Sequence, residues 1–134
     1  MPRDGASLLA GLADGSLPAS AFGHAEHVRA AWQCLRDTAD AGEGQTRFCT
    51  LLRAYVTHAG AEARYHETMT VALLRLIDLR RRALPQADWP AFAAAHPELF
   101  ADARALLGAH YSPAQLDSGM ARSRFVEPDR LPLP

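Results

Sequence analysis

Lysine is missing altogether: the fourteen basic residues of this 134-residue chain are all arginine, and fifteen acidic residues bring the formal net charge to −1. A protein that grips a phosphate backbone needs a surplus of positive charge to release condensed counterions, so nucleic acid is not expected as a main partner. Cysteine is nearly missing as well. Cys34 and Cys49 stand in separate helical patterns without CxxC spacing, which argues against a zinc knuckle or a disulfide framework and for two packed, reduced thiols.

Long apolar runs are lacking too. Met1 to Gly15 carries Asp4 and Asp14 where a signal peptide would be uninterrupted, so the expectation is a cytoplasmic protein with no membrane partner. No G-x-x-x-x-G-K-[ST], no G-x-G-x-x-G after a strand and no G-x-S-x-G occurs, which removes nucleotide, dinucleotide and serine-hydrolase readings. No run alternates apolar and polar residues at period two, and no Asn-Gly or Asp-Gly pair joins two such runs, so strands are not needed.

What is present points to helices. Hydrophobic residues make up 49% and charged residues 22% of the chain, an ordinary balance for a globular protein with a real core. The length suits one domain. The expected fold is all-α: a single compact bundle of about four to six helices over residues 1–134, with a short N-terminal helix in 1–16 and an extended, proline-rich tail in 117–134 that packs on the bundle through Phe125 and Val126.

Helical spacing of Leu8, Leu9 and Leu12 predicts a helix over Ala6–Ala13 that stops at Gly15. His24, His27, Val28, Ala31 and Leu35 form one stripe of a helix running from His24 to about Ala41. Gly42 to Gly44 reads as a break before a helix from Gln45 to His58, and a longer helix is expected from about Ala61 to Ala83, closed by Arg80-Arg81-Arg82 as a solvated end. Asp88 reads as an N-cap for Trp89–Ala95, Pro97 opens a helix from Glu98 to Leu107, and Ser112 caps a further turn.

The stripe matters chemically. His24 and His27 lie one turn apart on the face expected to meet the core, as the i, i+3 ligand pairs of bundle metal sites do. His66 is the natural third imidazole, and three such ligands with an open position suit a divalent transition metal, zinc, copper, iron or nickel. Glu67 beside it is a candidate catalytic base or carboxylate ligand, and Tyr65 a candidate donor to a substrate oxygen. Arg29 and Arg64 flank the two histidine segments as candidate clamps for a small polar substrate. This reading gives a small metal-dependent enzyme.

Two other readings fit the same residues. The histidines complete the core of a metal-free binding or assembly module, in which case a homodimer is a natural form. Alternatively His66 and Glu67 act as a metal-free acid/base pair. The HE pair at 66–67 lacks the second histidine of an HExxH helix, so a zincin is not expected.

The segments Phe22-Gly23-His24-Ala25-Glu26-His27-Val28-Arg29-Ala30-Ala31-Trp32 and Tyr65-His66-Glu67-Thr68-Met69-Thr70 resemble paired blocks in a family of small, uncharacterised bacterial helical proteins. The resemblance extends to Tyr111-Ser112-Pro113 and to the tail around Phe125 to Arg130. It implies that the two histidine-bearing blocks work as one unit, and it carries no reaction.

Overall fold

A computed structural model describes residues 4–134; residues 1–3 of the N-terminal segment lie outside the described residues. The protein is all-α, with no strand among the described residues. Contacts divide the chain into two compact units, Met1–Tyr65 and His66–Pro134.

In the N-terminal unit, α1 (Gly5–Asp14), α2 (His24–Asp37) and α3 (Ala41–His58) pack on one another. Helix α1 begins where the Asp4 carboxylate accepts from the Ser7 N–H at 2.8 Å, and ends at Gly15, whose φ of 75° is left-handed. Only glycine adopts that conformation without cost. Helix α2 starts at Gly23, whose N–H donates to the Glu26 carboxylate at 3.1 Å. Its stripe buries Val28, Ala31, Trp32 and Leu35.

The glycines at 42 and 44 are not a break. Asp40 caps α3 by accepting from the Glu43 N–H at 2.8 Å, so the helix starts four residues earlier than its apolar spacing suggests, and α2 ends at Asp37. A cap supplies what a glycine-weakened first turn lacks. Gly44 also lets α3 approach α2 closely: a Cβ there would stand 2.9 Å from the Leu35 Cα. A 3-10 turn, Glu62–Arg64, closes the unit.

The C-terminal unit has one long helix, α4 (Glu67–Ala83), followed by α5 (Trp89–Ala95), α6 (Glu98–Ala101), α7 (Ala103–Leu107), α8 (Pro113–Leu116) and α9 (Gly119–Ser123). The helix expected from 98 to 107 is interrupted at Asp102, whose extended backbone lets its side chain accept from the N–H groups of Arg104 and Ala105. Asp88, Ser112 and Ser118 cap α5, α8 and α9 in the same way. Ala72 and Leu76 of α4 bury against Leu107, Tyr111 and Leu116, with Val126 and Leu133 of the tail packed on that cluster.

Among the described residues no helix is long and apolar enough to cross a membrane. The arginine run at the end of α4 is more than a solvated end. Arg81 and Arg82 both bridge to Asp78 at 2.9 Å, and Asp78 is only 7% exposed. A carboxylate so buried needs paired charge.

Candidate functional site

The histidine-bearing blocks fall on either side of the unit boundary: His24, His27, Arg29, Arg64 and Tyr65 belong to the N-terminal unit, His66 and Glu67 to the C-terminal one. Helix α2 presents His24 and His27 from its first turn. The His27 ring stacks on Phe22 at a centroid distance of 5.7 Å and leans on Phe48 at 5.1 Å, while Phe22 meets Tyr55 edge-on at 5.1 Å. Tyr55 in turn donates to the Leu17 carbonyl at 2.8 Å and so fixes the connector that carries Phe22.

Burial in this aromatic nest pushes the His27 imidazole down to about 4, with His24 adding a smaller push in the same direction. His27 is therefore neutral near pH 7. The same rule acts on Cys34, whose thiol burial pushes up to about 11, which makes it a poor nucleophile. Arg64 is exposed on the 3-10 turn, and Tyr65 carries the Arg53 guanidinium over its ring at 5.2 Å. That contact occupies the Tyr65 ring face.

His66 is the N-cap of α4, not a residue within the helix. Its Nδ1 accepts from the Met69 N–H at 3.1 Å, and its Nε2 lies 2.7 Å from the Leu116 carbonyl oxygen. Because Nδ1 accepts, Nε2 carries the proton and donates it to Leu116. Both ring nitrogens are committed within their own unit, and neither has a lone pair directed at an ion. Glu67 takes the first helical position, where a carboxylate complements the helix dipole. In neither unit do three His, Cys, Asp or Glu side chains among the described residues group as a metal would require.

The rest of the Tyr65–Thr70 block is equally occupied. Thr70 donates to the His66 carbonyl at 2.7 Å, while Thr68 donates to the Arg124 carbonyl at 2.9 Å and accepts from the Val126 N–H at 3.1 Å. Tyr111 completes the clasp by donating to the Val126 carbonyl at 2.7 Å. Burial, aided by Glu127, pushes its phenol up to about 12, so it remains a donor at any ordinary pH. One block thus starts α4 and ties the tail to it.

Next to this clasp lies a cavity of about 240 Å³, lined by Asp102, Arg104, Ala105, Gly108, Tyr111, Pro113, Leu116 and Arg130. Leu116, whose carbonyl His66 holds, is one of its walls. The sequence does single out His66, Tyr111 and the tail up to Arg130, but nothing in its periodicity brings Arg104 and Arg130 to one place. Those two meet because the tail turns back: the Arg130 N–H donates to the His110 carbonyl at 2.9 Å and its Nη1 to the Gly108 carbonyl at 2.9 Å. Comparison with protein-family models, curated proteins and solved structures finds no match for this chain.

Proposed function

We propose that the chain is a metal-free helical binding module, in which the histidines hold structure and a small molecule occupies the cavity of the C-terminal unit. The observation that carries this is the bond from His66 Nε2 to the Leu116 carbonyl, at 2.7 Å. It spends the proton that acid/base chemistry would use and fixes a wall of the cavity. For His66 to serve with His24 and His27 as a metal ligand, it would have to release either Leu116 or the first turn of α4, leaving a buried polar group unsatisfied at a cost of about 1–3 kcal/mol. His27, neutral between the two aromatic rings of Phe22 and Phe48, is likewise well suited to packing.

The test is metal retention. Untagged protein is loaded in turn with stoichiometric Zn, Cu, Fe, Ni and Mn, exchanged into fresh buffer and assayed for bound metal; none is expected to remain, and the unfolding midpoint should not respond to a chelator. Near-stoichiometric metal, lost in folded His24→Ala and His66→Ala variants, would replace this reading with a metal-dependent enzyme in which Glu67 handles the proton.

A further inference from the structure

We propose that the cavity ligand is a small carboxylate with an apolar body, its carboxylate held by Arg130 with help from Arg104; this rests on the binding-module reading above. Much of the cavity lining is apolar: Tyr111 and Leu116 are buried at 0% and 2% exposure, and the exposed Ala105 and Pro113 also line it. The rim carries two guanidiniums. A volume of about 240 Å³ is below the roughly 300–1,000 Å³ of pockets for drug-sized molecules, so the ligand is small.

Arg130 is set in place before any ligand arrives. Its backbone N–H and its Nη1 are tied to His110 and Gly108, and its neighbour Asp129 accepts from the Ser112 N–H at 2.8 Å and from the Ser112 hydroxyl at 2.5 Å. A guanidinium has five N–H donors in a rigid fork, and the protein uses one of them here. A fork held this way suits bidentate capture of a planar carboxylate and loses little freedom in making it.

The surrounding charges select a monoanion. Arg104 donates to Asp117, and the Asp102 carboxylate is occupied by the first N–H groups of α7. With Arg104 paired to Asp117 and the Arg130 charge already acting on Asp129, the rim has too little unbalanced positive charge for a phosphate dianion, while one carboxylate matches the donors Arg130 has left. The apolar part of the lining then rewards a hydrocarbon body and discriminates against acetate-sized ions.

Amide-resolved NMR titration of the full chain with benzoate, benzamide and inorganic phosphate, in the presence of a chelator, tests this. Benzoate should give a saturable shift of the Ala105, Gly108 and Leu116 amides, and benzamide should bind at least about tenfold more weakly, the loss of one charge-assisted pair. Arg130→Gln should weaken benzoate about tenfold and Arg104→Gln by a smaller factor. Arg130→Lys keeps the charge and loses the fork, and should also bind several-fold more weakly if Arg130→Gln disturbs the tail.

Equal binding of benzoate and benzamide, a stronger response of the same amides to phosphate, undiminished binding in both Arg130 variants, or no saturable shift would each overturn the proposal. Metal content is measured on the same samples. A benzoate response that appears only when metal is added back would instead defeat the metal-free reading.

Discussion

Residues 4–65 are built from helices of 10, 14 and 18 residues that bury apolar stripes against each other, whereas residues 66–134 pair a single 17-residue helix with five pieces of four to seven residues. A long helix can be positioned by its stripe alone, because every turn repeats the contact. A four-residue helix has no repeating stripe, and most of its backbone groups have no partner inside it. The C-terminal unit accordingly depends on polar side chains: Asp88, Asp102, Ser112 and Ser118 cap its short helices, and His66, Thr68 and Tyr111 tie their side chains to backbone groups up to 58 residues away. The same residue type takes opposite roles in the two units. His27 is packed by aromatic rings; His66 is held by two hydrogen bonds, one of which uses its ring N–H.

That contrast breaks most visibly with pH. Burial depresses the folded value of His27 to about 4 from its ordinary 6.5, so the unfolded chain binds more protons between those values. Its contribution to stability is fully present above about pH 6.5 and falls as pH drops toward 4, by on the order of 3 kcal/mol across the window. Denaturant unfolding at pH 7.5 and pH 5 should register about 2 kcal/mol of it. A His27→Leu variant should lose that slope, and an unchanged slope would show that the ring is not desolvated.

His66→Ala probes the other unit, removing the α4 cap and leaving the Leu116 carbonyl without its donor. A destabilisation of about 2 kcal/mol is expected, together with faster hydrogen exchange at Met69, the amide that the ring accepts. Exchange at Met69 as slow as in the parent would mean that the ring is not the cap. The smallest effect sharpens the comparison: Tyr111→Phe keeps the buried ring and deletes only the donor to Val126. It should cost about 1 kcal/mol and raise proteolytic cleavage in the 124–134 tail; unchanged cleavage would shift the burden of holding the tail to Thr68 and Asp129.

Much of the fold was legible because it is local. Leu8, Leu9 and Leu12 marked α1, the spacing from His24 to Leu35 marked α2, and Asp88 and Ser112 announced their helices through caps that lie next to the turns they stabilise. The start of α3 was obscured because two glycines in a first turn look like a linker unless Asp40 is weighed as a cap. The interruption at Asp102 was hidden because an aspartate inside an apolar pattern satisfies the helical period as well as any polar residue.

The candidate site divides along the same line. The sequence by itself determined an all-helical chain, the presence of His27 on a core-facing stripe, and a titratable block at 65–67 near the start of the long helix, whose first turn it placed at about Ala61 and the structure places at Glu67. Only the tertiary structure decided what the imidazoles do. Whether a histidine is a ligand, a base or a tie depends on what stands within about 3 Å of each ring nitrogen, and for His66 one of those neighbours, Leu116, is 50 residues away. The cavity is decided at the same level, since Arg104 and Arg130 share it only after Thr68, Tyr111 and Ser112 have bound the tail. Periodicity records which face of a helix is apolar. It carries no information about which distant carbonyl a side chain will meet.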